Sequence, residues 1–301
     1  MEIDGRSVPL SNLDKVLWPS AGMTKGEMID YYVRVAPTLL PHLRGRPLTI
    51  RRFPDGVGGP SWHQNECRGQ PEWISVYEAR GRRGGPLRFC MVEDTASLVW
   101  LANHVAIELH PFLWTVRAPR RPTSLVFDLD PGPPADVVDC ARVALHLREV
   151  LAGLGRASVV KTTGSLGLHV HVPLGLPQDG AAAKAFARSV SARLAEDHPG
   201  DVVSEMSKSR RAGRVYVDWL QNDPGRQTVA PYSLRGVPWP TVAMPVTWEE
   251  VGDAAAGGRP ETLTFLAADV PGRLERNGDL FAPTLRLEQA LPAEVSLDNR
   301  I

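Results

Sequence analysis

The stretch Thr123-Ser124-Leu125-Val126-Phe127-Asp128-Leu129-Asp130-Pro131-Gly132 reads as an apolar β-strand ending in two aspartates and a turn. Residues i and i+2 of a strand share a face, so Asp128 and Asp130 point the same way, about 7 Å apart along the backbone. Two carboxylates so placed can hold one or two hard divalent cations. Alone, the pair is equally open to a plainer reading as an exposed strand end, because about one Asp-x-Asp arises by chance in a chain with this much Asp.

Two further strands change the weighing. Gly164-Ser165-Leu166-Gly167-Leu168-His169-Val170-His171-Val172 is a glycine-rich turn feeding an alternating strand, with His169 and His171 on one face. Such a backbone can approach a phosphate closely, beside imidazoles that donate to its oxygens; a β-turn followed by two half-exposed histidines is the plainer alternative. Val215-Tyr216-Val217-Asp218-Trp219 is a third strand, in which Asp218 is either another metal-binding carboxylate or a surface residue. In combination, the three point to two-metal phosphoryl or nucleotidyl transfer.

Around these strands, Thr24 and Glu27 form a capping-box pattern ahead of Met28, Ile29, Tyr32, Val33 and Ala36, which predicts a helix over 25–38. Helical spacing recurs over 94–105, 136–151 and 181–194; β-like runs occupy 48–53, 107–116, 157–162 and 214–219 as well. Gly and Pro clusters at 54–60, 81–86, 131–134, 175–180 and 254–260 read as loops, none of them a domain linker. The irregular interleaving predicts an α+β (mixed α/β) fold in one domain, 1–301, rather than a barrel.

Composition removes several classes of protein. With 43% hydrophobic and 23% charged residues the chain is globular, not disordered. No apolar run is long enough to span a membrane, and the start is acidic and polar, without a signal peptide. Cys67, Cys90 and Cys140 are odd in number and far apart, so neither a disulfide framework nor a structural zinc is expected, and a reducing cytoplasm fits.

The 34 basic and 34 acidic residues cancel, which speaks against indiscriminate polyanion binding. The cancellation hides a dipole: residues 1–240 carry 29 Lys+Arg against 24 Asp+Glu, and 241–301 carry 5 against 10. The basic residues come in groups (Arg44, Arg46, Arg51, Arg52; Arg80, Arg82, Arg83, Arg88; Arg117, Arg120, Arg121; Lys208, Arg210, Arg211, Arg214) that suit either phosphate contacts or a solvated surface. Lys15 and Lys25 stand out in a chain with five lysines and 29 arginines.

Taken together, these residues resemble the archaeo-eukaryotic primase superfamily, and within it the polymerase module of bacterial DNA ligase D and its stand-alone relatives. The resemblance lies in Asp128-Leu129-Asp130-Pro131, in Thr162-Thr163-Gly164-Ser165-Leu166-Gly167-Leu168-His169, and in Val217-Asp218-Trp219. Flanking stretches match too, among them Leu13-Asp14-Lys15, Thr24-Lys25-Gly26, Arg51-Arg52-Phe53-Pro54, Glu108-Leu109-His110-Pro111, Gln221-Asn222 and Thr228 through Arg235. The similarity covers about residues 10–250, in order, leaving 251–301 as an acidic C-terminal part that packs on or trails the domain.

The resemblance implies a primase-polymerase fold: a central, RRM-like antiparallel catalytic sheet flanked by helices, with a smaller N-terminal α/β lobe. It implies a ribonucleotide-favouring, template-directed DNA/RNA polymerase that fills gaps or extends ends in non-homologous end joining. Two divalent ions, Mn2+ or Mg2+, bound by Asp128, Asp130 and Asp218 would serve an NTP or dNTP substrate. His110, Thr163, Ser165, His169, Gln227 and Arg235 would contact the incoming nucleotide, His110 near its sugar. Lys15 and Lys25 would hold the 5′-phosphate at a DNA gap or break, Arg51 with Trp62 would steer the template, and Arg52 would be a further DNA contact; for Arg51 and Arg52 the plainer alternative is a strand edge blunted by charge. Implied partners are a Ku-like protein and a DNA ligase, for a monomer in the cytoplasm at the nucleoid.

One position departs from the pattern. Leu166 stands where the family usually has a triphosphate-binding Lys, so either a nearby arginine such as Arg226 substitutes or nucleotide binding is weak. That departure keeps open a module that binds broken ends without polymerising, beside a stand-alone gap-filling polymerase in excision repair and a metal phosphodiesterase.

Overall fold

The structure, a computed structural model, describes residues 1–81 and 84–291. Arg82, Arg83 and part of the 81–86 loop therefore lie outside the described residues, as does the chain from 292. The fold is mixed α/β, as expected, and its chain divides into two compact units. Unit 1 comprises residues 1–117, 227–244 and 265–279; unit 2 comprises 118–226, 245–264 and the chain from 280.

Unit 1 opens with two small hairpins, β1 (Glu2–Ile3) with β2 (Arg6–Ser7) and β3 (Val16–Trp18) with β4 (Met23–Thr24). Helix α1 (Lys25–Leu43) starts at the anticipated capping box, Thr24 Oγ1 accepting from the Glu27 N–H while the Glu27 carboxylate accepts from the Thr24 N–H. It runs five residues beyond the expected end, through Pro37 and Pro41, because its buried face continues through Leu39, Leu40 and Leu43. Packing of that face outweighs the backbone bonds the prolines withhold.

The sheet of unit 1 is built from β5 (Pro47–Arg52), β6 (Trp62–Gln64), β7 (Val76–Arg80), β8 (Pro86–Met91) and, after α2 (Thr95–Asn103), β9 (Ala106–Pro111). Strand β5 is interior: Arg51 is the Cα partner of His63 on one side and of Glu108 on the other. The edge-strand reading of Arg51 and Arg52 is thereby overturned. Strand β9 stops at Pro111 rather than at 116, where proline has no N–H to offer the ladder. Contrary to expectation, Cys67 and Cys90 form a disulfide, since β8 runs back past the loop that follows β6; Cys140 is free and buried.

Unit 2 is a six-stranded sheet in the order β13-β14-β10-β12-β11-β15. Its strands are β10 (Ser124–Pro131), β11 (Val159–Thr162), β12 (Leu168–Pro173), β13 (Val202–Val203), β14 (Val215–Asp218) and β15 (Pro245–Val246). All pairings are antiparallel except β13 with β14. Leu125, Val126, Phe127 and Leu129 of β10 are fully buried, which explains why the strand reads as a continuous apolar run. Helices α3 (Val137–Gly153) and α4 (Gly180–Asp197) pack against β10, and α5 (Trp248–Gly257) packs on α3.

Helix α5 takes in much of the expected 254–260 loop. Thr247 and Glu250 cap it reciprocally, Ala254 to Ala256 propagate it, and Gly258 at φ +63° ends it. Helix α6 (Val270–Asn277) belongs to unit 1 and the short α7 (Pro283–Arg286) to unit 2. Among the described residues no helix is long and apolar enough to cross a membrane.

Candidate active site

In unit 2, the sheet register assembles the carboxylates. Asp128 is the Cα partner of Asp218 on β14 and of His169 on β12, while Asp130 pairs with Tyr216. His169 Nε2 lies 3.2 Å from Asp128 Oδ1. Gln221 Nε2 donates to Asp218 Oδ2 at 3.2 Å and to Asp128 Oδ2 at 3.5 Å. Asp218 Oδ1 also accepts from Tyr216 OH at 3.1 Å and from the Leu220 N–H at 2.9 Å.

The charges in this set are poorly balanced. Burial, then repulsion from Asp128 and Asp218, pushes the Asp130 carboxyl up to about 7 against the pull of Arg211. Burial also raises Asp218 above the ordinary carboxylate range. Arg211 lies with its guanidinium 3.7 Å from the Tyr216 ring centroid. A Cβ on Gly132 would collide with the Arg211 carbonyl, so the Pro131-Gly132 turn admits the arginine segment only as glycine.

Hard oxygen donors carrying unbalanced negative charge on one sheet are what a divalent cation requires, so Asp128, Asp130 and Asp218 fit one chemically. Among the described residues, however, no group of three or more His, Cys, Asp or Glu side chains is drawn together in ligating geometry.

The turn before β12 is organised by Thr163. Its Oγ1 accepts from the N–H groups of Ser165 and Gly167, both at 3.2 Å, and its own N–H donates to the Gly167 carbonyl at 2.9 Å. Gly164 adopts φ +67°, and a Cβ at Gly167 would strike the Leu129 carbonyl. Leu166 projects outward, 69% exposed. His169 and His171 are buried rather than half-exposed; His171 packs edge-on against Phe281 at 5.0 Å. Arg226 is exposed and helps to favour the ionised Asp218.

Unit 1 carries the other expected residues in two groups. Lys15, Lys25 and Arg52 line one cavity of about 310 Å3 together with Ser11, Asn12, Asp55, Asn103 and His104. Lys25 Nζ donates to the Ser11 carbonyl at 2.6 Å, Lys15 Nζ lies 3.1 Å from Asp55, and Arg52 Nε donates to the His104 carbonyl at 2.8 Å. Burial, aided by Lys15, lowers the Lys25 ammonium. The second group surrounds Glu108 and includes Arg51, His110 and Arg235. Trp62 is 45% exposed beneath the Arg52 guanidinium, 5.7 Å from its ring centroid, and Gln227 forms a bridge with Phe112.

Three residues in these arrangements were not singled out for a role by sequence reasoning, Glu108, Tyr216 and Gln221, and Arg211 entered it just as one member of a basic group suited to phosphate contacts. Glu108 carried a signal in its i, i+2 spacing from His110, which puts both on one strand face. Gln221 acts from the short helix after β14, whose reach back to the carboxylates depends on tertiary structure.

Against known proteins, the chain matches the family LigD, primase-polymerase domain, over residues 24–281. The chain belongs to that family. It is 40% identical over 283 residues to the multifunctional non-homologous end joining DNA repair protein LigD of Mycobacterium tuberculosis, covering 91% of this chain and 36% of that protein. It is 31% identical over 291 residues to the bifunctional non-homologous end joining protein LigD of Bacillus subtilis, covering 95% and 46%. The chain thus spans less than half the length of these relatives. Among solved structures, the polymerase domain of Mycobacterium tuberculosis ligase D in complex with DNA aligns with a TM-score of 0.86 at 38% identity, covering 92% of this chain and 98% of that one.

Proposed function

We propose that this LigD primase-polymerase domain is a template-directed nucleotidyltransferase that extends a primer 3′-OH at DNA gaps or broken ends in non-homologous end joining. The observation that carries the reading is the register that makes Asp128 the cross-strand partner of both Asp218 and His169, with Asp130 on the same strand. In a chain of this family, that set is the candidate holder of two Mn2+ or Mg2+ ions. Bound there, the ions would supply charge neutralisation at the 3′-oxygen and the leaving pyrophosphate.

The remaining work falls to the chain's own groups. Gln221 spans Asp128 and Asp218 and fixes how their oxygens point. His169 orients Asp128 and, with Thr163 and Ser165, is assigned to the incoming NTP or dNTP. In unit 1, His110, Gln227 and Arg235 are assigned to the nucleotide, Arg51 and Trp62 to the template, and Lys15, Lys25 and Arg52 to a 5′-phosphate. Ribonucleotide preference, a Ku-like protein and a DNA ligase as partners, and a cytoplasmic, nucleoid-associated location belong to the same proposal.

Primer extension on a 5′-phosphorylated gap, with Mn2+ and ribonucleotides, tests it: wild type should extend and Asp128→Ala should not, whereas equal product from both would overturn the reading. Leu166 favours a second reading, an end-binding module that does not polymerise, because an exposed leucine donates nothing to a triphosphate. Tight binding that depends on the 5′-phosphate, with no extension under any metal, would select it.

A further inference from the structure

Glu108 is a carboxylate buried to 1% exposure, with no place in the roles assigned so far. Strand geometry brings its partners to it. His110, two residues along β9, shares its face, and Arg51 is its cross-strand partner on β5. The third contributor is the 230–236 segment, stitched along β9 by the Ala230 N–H to the Leu109 carbonyl at 2.8 Å and by Ser233 Oγ accepting from the Leu109 N–H at 3.0 Å. Gly236 lies against Phe53 so closely that any Cβ would collide with the ring, and its N–H meets Glu108 Oε1 at 3.0 Å.

The two carboxylate oxygens divide the work. Oε1 faces cations and a donor, with Arg51 Nη1 at 3.3 Å, Arg235 Nε at 3.5 Å and the Gly236 N–H. Oε2 meets His110 Nε2 at 2.9 Å. We propose that Glu108 is the positioning residue of unit 1: its ionised carboxylate holds His110 as the Nε2–H tautomer with one oxygen and aims the Arg51 and Arg235 guanidiniums with the other. Two guanidiniums against one carboxylate leave the cluster with a single net positive charge, suited to an anionic substrate. Hydrogen bonds from His110 and Gly236, with the nearby Arg235 charge, overcome burial and hold the Glu108 carboxyl down at about 2, so it is ionised at neutral pH. The inference rests on the reading that His110, Arg51 and Arg235 touch nucleotide and template.

An isosteric amide cannot reproduce the arrangement. In Glu108→Gln, turning the NH2 toward the arginines sets donor against donors, so the amide oxygen stays with them and the NH2 faces His110. The imidazole must then accept at Nε2 and carry its proton on Nδ1.

The experiment pairs side-chain 15N NMR of His110 with steady-state kinetics. Wild type at pH 7 should show a protonated Nε2 and an unprotonated Nδ1, and Glu108→Gln should show the reverse; Nδ1–H in the wild type overturns the proposal. Glu108→Gln should raise KM for the nucleotide about tenfold or more, the scale of removing one charge-assisted hydrogen bond, while the ratio of affinities for a 5′-phosphorylated and an unphosphorylated gap, which share the template, stays within about twofold of wild type. Unchanged KM and kcat in Glu108→Gln would also overturn it. If the variant does not fold, the wild-type spectrum still decides. If wild type itself never extends a primer, the polymerase reading fails, and the tautomer alone tests whether Glu108 sets His110.

Discussion

Asp128 and Asp218 are direct cross-strand partners on β10 and β14, and one amide nitrogen, Gln221 Nε2, donates to both. Like charges held this close cost the metal-free fold stability. Asp130→Asn should therefore stabilise the metal-free protein by about 1 kcal/mol, within the usual range for relieving such strain, and should lack the rise in Tm that Mn2+ is expected to produce in the wild type. Thermal unfolding in EDTA and in Mn2+ checks both; a lower Tm for the variant in EDTA contradicts the account.

The raised Asp130 carboxyl sets a pH window. Its folded pKa, about 7, lies above the ordinary value of 3.8, so the folded state holds the extra proton between those pH values. The contribution to stability is fully present below about pH 4 and is lost as pH rises through about 7. Urea titrations of the metal-free protein should show wild type losing stability across this window relative to Asp130→Asn. Divalent cations held by these carboxylates, as proposed, would compete with that proton, so Mn2+ affinity should tighten over the same range, with proton release measurable by calorimetry in two buffers of different ionisation enthalpy.

Lys15 and Lys25 share one cavity, and each alanine variant should bind a 5′-phosphorylated gap about tenfold more weakly, the scale of one charge-assisted hydrogen bond, with little change on unphosphorylated blunt duplex. Fluorescence anisotropy on the two substrates discriminates; equal losses on both would make the lysines general phosphate contacts.

At Leu166 the expected effect is a gain. The side chain is 69% exposed on the turn organised by Thr163, so a lysine fits without repacking. Leu166→Lys should lower KM for the nucleotide by about three- to tenfold with Tm unchanged, as read by initial rates of extension and a melt.

The main features of unit 2 could be read directly, since β10, β12 and β14 each carry their own period and their own polar residues. Asp128, Asp218 and His169 could be expected to converge because the resemblance implied a shared metal and nucleotide site; neither it nor spacing alone set the strand register. The capping box at Thr24 was equally plain, whereas the passage of α1 through Pro37 and Pro41 depends on a buried face that local rules discount. The disulfide escaped notice because Cys67 and Cys90 meet only when β8 returns past the loop after β6. Glu108 escaped for a similar reason, its cations arriving from β5 and from a segment more than a hundred residues downstream.

Strand β10 is hydrogen-bonded on both sides, by β12 and by β14, over the residues that carry Asp128. Its backbone therefore has almost no latitude, and the carboxylates can adjust only by torsion about their own side-chain bonds. A substrate that arrives misaligned cannot be met halfway by this strand. On the proposed polymerase reading, tolerance for imperfect ends would have to come from elements that are free to shift, and β10 would be the fixed datum against which fidelity at a growing end is measured.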